Sequence, residues 1–135
     1  MFALTKTAGE IMTRPVISAR ENASARDVAL QMMAGLFSGM PVTNNEGKLV
    51  GIVTELDLLK AVQDGKELVR TTARDIMTQD VASARVDATV EEFITIMEEF
   101  HIIRLPIVKD GKLVGIVARS DILRSLIVPE FATHM

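Results

Sequence analysis

The sequence contains no cysteine, so it can form neither disulfide bonds nor metal sites with thiolate ligands. It also lacks tryptophan and tyrosine, and its 5 phenylalanines are its only aromatic residues. No apolar run approaches the roughly 18 residues of a membrane span. Residues 1–6 lack the charged-then-apolar layout of a secretory signal. We therefore expect a soluble, cytoplasmic protein that does not enter a membrane.

The sequence also has no large excess of positive or negative residues. The chain has 15 lysines and arginines against 18 acidic residues, for a formal net charge of −3. The basic residues do not gather in a run, so no nucleic-acid partner is indicated. Apolar residues make up 48% of the 135 positions, which suits one compact module with a real core.

One stretch of the sequence occurs twice. Gly-Lys-Leu-Val-Gly-Ile-Val stands at 47–53 and again at 111–117. A glycine turn followed by a β-branched run predicts a buried strand, and the polar residues that follow predict a helix with Asp57 or Asp121 in its first turn. Ligands collect where a strand ends and a helix begins, because free backbone N–H groups and the positive end of the helix dipole lie there.

Other short motifs repeat at nearly the same offset. Ile-Met-Thr stands at 11–13 and 76–78, and Met-Pro-Val at 40–42 returns as Leu-Pro-Ile at 105–107, in both cases 65 positions later. The offset falls to 64 at the glycine stretch, because the four-residue turn at 44–47 corresponds to only three residues at 109–111, which end in Asp110-Gly111. The chain therefore reads as two repeats, residues 1–66 with a lead-in and residues 67–135 with a tail.

Each half predicts the order strand, helix, strand, strand, helix. Short lead-in helices are expected near 7–12 and 72–77, extended stretches at 16–19 and 81–84, and hairpins across the glycine turns. The first long helix should begin at Ser24, and the second at a Thr89-Glu92 capping box. Their apolar stripes comprise Val28, Ala29, Met32, Met33 and Leu36, and Val90, Phe93, Ile94, Met97 and Phe100.

This ordered, duplicated set of motifs resembles a cystathionine-β-synthase (CBS) domain pair, also called a Bateman module. The resemblance covers nearly the whole chain and implies an α/β fold of two pseudo-symmetric βαββα repeats packed sheet to sheet as one module. It also implies a stand-alone regulatory module that binds AMP, ADP, ATP or S-adenosylmethionine in two clefts between the repeats. No separate cofactor is implied.

The resemblance assigns a ribose acid to each cleft. In the first cleft this acid is Asp57, with a hydroxyl from Thr54, Ile52 against the adenine and Arg104 as a fork for phosphate. The remaining implied contacts of this cleft are Thr78, Val81, Ala82 and Ser83.

In the second cleft, which we expect to be weaker, the ribose acid is Asp121. Ala118 replaces the cap hydroxyl there, and Gly39 stands where Arg104 stands in the other half. Ser120 is an alternative start for the helix, and Arg119 or Arg14 an alternative phosphate contact. The remaining implied contacts are Thr13, Val16, Ile17 and Ser18.

From the residues alone, Thr54-x-x-Asp57 is more simply a helix cap, with Asp57 in place of the usual glutamate, and only the family resemblance favours the ligand site. A scaffold module that binds no ligand therefore stays open as the alternative function. A nucleotide hydrolase is disfavoured, because no general base accompanies a metal site in the sequence. We expect a non-enzymatic regulator of an enzyme or transporter, and a twofold homodimer through the two long helices, with Met33 and Phe93 as interface candidates.

Overall fold

The computed structural model describes the main chain of residues 2–134 and the side chains of residues 4–127. The chain forms two compact units, residues 17–81 and residues 1–16 with 82–135. The helices are α1 Ala8–Ile11, α2 Ala25–Gly35, α3 Glu55–Gln63, α4 Ala73–Ile76, α5 Val90–Phe100 and α6 Arg119–His134, with short 3-10 helices at Phe2–Thr5 and Leu68–Arg70. The strands are β1 Ala19–Arg20, β2 Gly39–Thr43, β3 Leu49–Thr54, β4 Ala84–Arg85, β5 Arg104–Lys109 and β6 Lys112–Ala118.

Each unit contains one sheet of three strands, in the order β1-β2-β3 or β4-β5-β6. The first strand of each sheet runs parallel to the second, and the second pairs with the third as an antiparallel hairpin. The predicted order of strands and helices is therefore confirmed in both halves. The first strands are shorter than the predicted extended stretches, because ladder pairing begins only at Ala19 and Ala84.

The core of each unit lies between its sheet and its long helix. In the unit of residues 17–81 the fully buried side chains include Val28 of α2 and Val42 and Val53 of the sheet. In the other unit Phe93 and the sheet residues Leu105 and Ile107 are all fully buried. The apolar periodicity of α2 and α5 thus correctly predicted which face of each helix is buried.

The predicted apolar stripes are too wide at their ends. Met33 is 73% exposed and Phe100 is 57% exposed, while Leu36 lies beyond α2 in the left-handed region with φ 57° and is 89% exposed. Phe93, proposed from sequence as an interface residue, is fully buried in the core of its own unit and cannot contact a partner. No helix in the described part of the chain is both long and apolar enough to cross a membrane.

Caps and turns follow the sequence signals closely. The Ser24 hydroxyl accepts the backbone N–H of Asp27, and Thr89 forms a complete capping box with Glu92. The second hairpin turns at Asp110 and Gly111, both with positive φ, which is the backbone geometry that a two-residue hairpin turn requires. These local predictions are confirmed.

The two repeated motifs meet one another inside each unit. A methyl group built on Gly51 of β3 would lie 2.5 Å from Met77 Sδ and 3.0 Å from the Thr78 carbonyl oxygen. In the other unit, Met12 packs in the same way over Gly115 of β6. The glycine of each Gly-Ile-Val strand therefore makes room for the methionine of an Ile-Met-Thr lead-in.

The lead-in that packs on each hairpin comes from the other half of the sequence. Residues 76–78 follow the first repeat and pack on its hairpin, whereas residues 11–13 lie in the unit that contains the second hairpin. Short antiparallel bridges, Ile52 with Thr78 and Thr13 with Ile116, fix the register of these contacts. The lead-ins thereby cover the outer edge of β3 and of β6.

We predict that Gly51→Ala destabilises the protein by about 1–3 kcal/mol, as overpacking of a filled site generally does. The new methyl group must displace Met77 and push against the backbone at Thr78. Gly39→Ala is the matched control, because its methyl would meet Ile52 Cδ1 at an ordinary 3.4 Å. Thermal melting should separate the two variants by several degrees. Equal melting temperatures would show that the glycine is not required for packing.

Candidate functional site

The first carboxylate lies where β3 ends and α3 begins. Thr54 is the N-cap of α3, and its hydroxyl accepts the backbone N–H of Asp57 at 3.2 Å. Asp57 Oδ2 in turn accepts the backbone N–H of Thr54 at 2.9 Å. The capping role that the sequence left open is therefore confirmed, and it fixes the position of the carboxylate at the strand-to-helix junction.

The end of the second lead-in brings a second hydroxyl to the same carboxylate. Thr78 N–H donates to the Ile52 carbonyl at 2.8 Å, and Ile52 N–H donates to the Thr78 carbonyl at 2.9 Å. This bridge places Thr78 Oγ1 at 3.3 Å from Asp57 Oδ2 and 3.4 Å from Oδ1. The structure thus brings together four of the residues that the sequence nominated, Ile52, Thr54, Asp57 and Thr78.

The Asp57 carboxylate keeps unused acceptor capacity. A carboxylate offers about four lone-pair sites. The Thr54 N–H takes one site, and the Thr78 hydroxyl is shared at long distance between both oxygens. Asp57 is half-buried and Thr78 is exposed, so the remaining sites are accessible. This arrangement can accept two hydroxyl groups from a vicinal diol.

The other residues nominated for the first cleft are divided between the units. Val81 lies in the same unit as Asp57, whereas Ala82, Ser83 and Arg104 belong to the other. Arg104 is exposed and is the first residue of β5, where it pairs with Ala118. The assignment of these residues to one ligand stays a prediction.

The second carboxylate, Asp121, has a similar position but a different set of partners. Its Oδ2 accepts the backbone N–H of Ala118 at 2.8 Å, and Thr13 Oγ1 donates to its Oδ1 at 3.3 Å. Thr13 is fixed by backbone hydrogen bonds with Ile116, as Thr78 is with Ile52. Helix α6 begins at Arg119 despite the missing cap hydroxyl, so Ser120 does not start it.

Arg124 also donates to Asp121, a contact that was missed at the sequence level. Its Nη1 lies 3.2 Å from Asp121 Oδ1. The Asp121 side chain is 9% exposed and that of Arg124 is 64% exposed. The signal was present, since an acid and an arginine three positions apart on a helix are neighbours. Lys60 holds the corresponding position in α3, and it forms no ion pair with Asp57 in the described structure.

The alternative phosphate contact, Arg119, has a partner on its own unit. Its guanidinium donates to the Ile102 carbonyl at 3.3 Å, beyond the end of α5. Ser120 is exposed and Val16 half-buried in this unit, whereas Ile17 and Ser18 begin the other one. The structure therefore joins Thr13 and Asp121, and the remaining contacts of the second cleft stay predictions.

A groove of about 550 Å³ opens elsewhere on the unit of residues 17–81. Its walls are apolar side chains from the end of α2 and the start of α3, with Glu55 and Ser38 at its border. Met33, Leu36 and Leu59 are its most exposed apolar members. Within residues 4–127, neither this groove nor any other place gathers three carboxylate or imidazole groups that could hold a metal ion.

Comparison with known proteins gives the family. The CBS domain model matches the chain twice, at residues 8–64 and 73–128. The uncharacterized protein MK0525 of Methanopyrus kandleri is 39% identical over 118 residues, which are 86% of this chain and 60% of that protein. Inosine-5′-monophosphate dehydrogenase of Methanocaldococcus jannaschii is 37% identical over 128 residues, which are 94% of this chain but only 25% of the enzyme.

Solved structures of similar architecture carry adenosine compounds. The CBS domain pair of protein MJ0100, in complex with 5′-methylthioadenosine and S-adenosyl-L-methionine, superposes with a TM-score of 0.75 at 31% identity and covers 93% of this chain and 98% of its own. CBSX2 in complex with AMP gives a TM-score of 0.79 at 27% identity, covering 92% and 98%. Since both repeats match the family model and the fold matches these pairs, the chain belongs to the CBS domain family.

Proposed function

We propose that this CBS domain pair is a sensor of adenosine-containing ligands, with Asp57 as the main ribose-binding acid. The proposal is supported by the surroundings of this carboxylate. Asp57 is held at a strand-to-helix junction by its capping contact with Thr54, accepts the hydroxyl of Thr78 from a lead-in, and still has free acceptor sites. A ribose diol is the ligand group whose two O–H donors suit such a carboxylate.

The similar solved structures support the adenosine part of the ligand. One of these CBS pairs holds 5′-methylthioadenosine and S-adenosyl-L-methionine, and another holds AMP. These ligands differ in charge and in the group at the 5′ position but share adenine and ribose. A site built around ribose recognition is consistent with all of them. For this chain we favour AMP, ADP or ATP, because Arg104 offers a planar fork to phosphate.

We assign the protein a regulatory role without catalysis of its own. The chain spans a quarter of inosine-5′-monophosphate dehydrogenase and 60% of MK0525, so similar CBS pairs occur within longer chains. A ligand that binds one conformation better shifts the population of conformations, and a partner enzyme or transporter can read that shift. The alternative is a scaffold in which Thr54 and Asp57 only cap α3.

Ligand binding should stabilise the folded protein. AMP, ADP or ATP at about 100 times its dissociation constant adds roughly 2.7 kcal/mol to the free energy of unfolding, which raises the melting temperature. Asp57→Asn should abolish the tighter binding event, because the amide keeps an oxygen for the cap but loses the charge that strengthens both ribose hydrogen bonds. Thermal melting and titration calorimetry measure the two effects.

Asp75→Asn is the matched control for this change. Asp75 forms the same capping box with Thr72 at the start of α4, and the N–H and hydroxyl of Thr72 lower its carboxyl pKa. This variant should bind adenosine ligands like the wild type. If no adenosine compound shifts the melting temperature or gives heat at millimolar concentration, the scaffold function is correct.

The ultraviolet spectrum of the purified protein gives an independent observation. The protein has no tryptophan or tyrosine, so a purine that copurifies with it would dominate the absorbance.

The two acids should bind phosphorylated ligands unequally. The Asp57 site is the better one in our ranking, since Arg104 is assigned to it and the corresponding residue for the other site is Gly39. Loss of a charge-assisted contact of about 1.5–3 kcal/mol corresponds to roughly a 10- to 150-fold change in affinity. Calorimetry with AMP on Arg104→Ala should therefore weaken the tighter event, whereas adenosine should be affected less. If Asp121→Ala instead removes the tighter AMP event and Arg104→Ala leaves it intact, the ranking is wrong.

We also propose that the protein forms a homodimer through its long helices. Met33 near the end of α2 and Leu36 just beyond it are more than half exposed and line one apolar groove, and Phe100 at the end of α5 is also more than half exposed. Exposed apolar side chains such as the pair in this groove are unfavourable in water and are commonly covered in an oligomer. A twofold contact would cover the same surface on both copies.

Met33→Glu should weaken this dimer by more than tenfold, because it puts a charge into the apolar contact beside Glu55. Gln31→Glu adds the same charge to the same helix at an exposed position outside the groove, and should leave the dimer intact. Sedimentation velocity distinguishes the two. A wild-type protein that sediments as a monomer at high concentration would remove the proposal.

A further inference from the structure

Arg124 distinguishes the second carboxylate from the first, and its contact is internal to one unit. Asp121 Oδ1 receives both Thr13 Oγ1, at 3.3 Å, and Arg124 Nη1, at 3.2 Å. Asp121 Oδ2 receives the Ala118 N–H at 2.8 Å. Three of about four lone-pair sites are thus used by donors of the protein itself, which leaves one for a ligand.

A vicinal diol needs two such sites. At Asp57 the equivalent count leaves two, since among the described residues only the Thr54 N–H and the shared Thr78 hydroxyl donate to it. At Asp121 a second ribose hydroxyl can bind only if one of the present donors leaves. Ala118 N–H belongs to the helix start, and Thr13 is fixed by its backbone bridge to Ile116. Thr13 is exposed as well, but it is short and its backbone is held in place, whereas the Arg124 donor stands at the end of a long side chain that is 64% exposed.

We propose that Arg124 competes with the ligand for Asp121. Its guanidinium binds the Asp121 carboxylate until a ribose diol displaces it. This inference rests on the proposed function, since it concerns ligand binding by the same kind of acid. It identifies a residue that sets the difference in affinity between the two sites. The effect is independent of phosphate and should therefore appear with adenosine itself.

The displaced guanidinium is not left unsatisfied. The Arg124 side chain is 64% exposed, so water can solvate it when it leaves Asp121. An ion pair with one mostly exposed member is weak, which makes displacement by a ligand feasible. The same exposure limits the size of the effect to roughly two- to fivefold in affinity, the upper part of the range for such pairs.

The test isolates the second site in an Asp57→Asn background. Titration calorimetry with adenosine should give a dissociation constant about two- to fivefold lower for Asp57→Asn/Arg124→Met than for Asp57→Asn alone. Methionine keeps a long aliphatic side chain with good helix propensity, so the fold should be retained. The matched control is Lys60→Met in an Asp121→Asn background, where binding at Asp57 should not change because Lys60 forms no ion pair with that acid in the described structure.

Salt concentration provides a second measurement that needs no change at Arg124. Adenosine is neutral, so its own binding should depend little on salt. Screening weakens the pair between Arg124 and Asp121, and adenosine should bind more tightly to Asp57→Asn as sodium chloride rises from about 0.01 M to 1 M. With Arg124→Met this dependence should vanish.

Three results would overturn the proposal. Arg124 does not compete if two results occur together. Adenosine binds the Asp57→Asn/Arg124→Met protein no more tightly than the Asp57→Asn protein, and binding to the Asp57→Asn protein does not depend on salt. A selective loss of AMP affinity in that variant makes Arg124 a phosphate ligand instead. The proposal is also refuted if wild type binds adenosine but the Asp57→Asn/Arg124→Met protein does not. Wild type that binds no adenosine compound refutes the proposed function itself, a separate outcome.

Discussion

The packing of a methionine over a glycine determines where the functional groups of this protein lie. Met77 fills the space above Gly51, and Met12 fills the space above Gly115. Each contact sets the register of a short backbone bridge, and each bridge sets a threonine hydroxyl beside an aspartate. A side chain on either glycine would push the lead-in away from its strand. The carboxylate would then keep its helix cap but lose its second partner.

Asp57 and Asp121 stand at equivalent positions in the two repeats, but their electrostatic surroundings differ. Around Asp57, neutral donors from Thr54 and Thr78 leave the negative charge uncompensated by any ion pair in the described structure. Around Asp121, an arginine one helical turn later supplies a positive charge. The difference lies three positions after each acid, where Lys60 in one copy forms no ion pair in the described structure and Arg124 in the other pairs with Asp121.

The fold was largely predictable because its signals are local and occur twice. Helix starts at Ser24 and Thr89 follow from capping, and the Asp110-Gly111 turn follows from the backbone preferences of its residues. The ends of the apolar stripes were not predictable in the same way. Periodicity places Met33 on the apolar side of α2, but it does not show where the unit's own core ends and its surface begins.

The site was predictable in part for a related reason. Thr54 and Asp57 form a short-range motif, so spacing alone identified their contact. The partnership of Thr78 with Asp57 spans 21 positions, and only the repeat and the family resemblance brought the two residues together. The contact of Arg124 with Asp121 has no counterpart in the first copy, so the repeat of motifs did not indicate it. Differences between copies are what give each site its own properties.

The exchange of lead-ins makes the two repeats depend on one another. A single repeat carries one lead-in and one hairpin, yet its lead-in packs on the hairpin of a different repeat. One repeat alone would therefore leave a methionine without its glycine and a strand edge uncovered. A cut between the two repeats would remove this packing from both sheets at once. The chain therefore has no point between its repeats at which it divides into two complete halves.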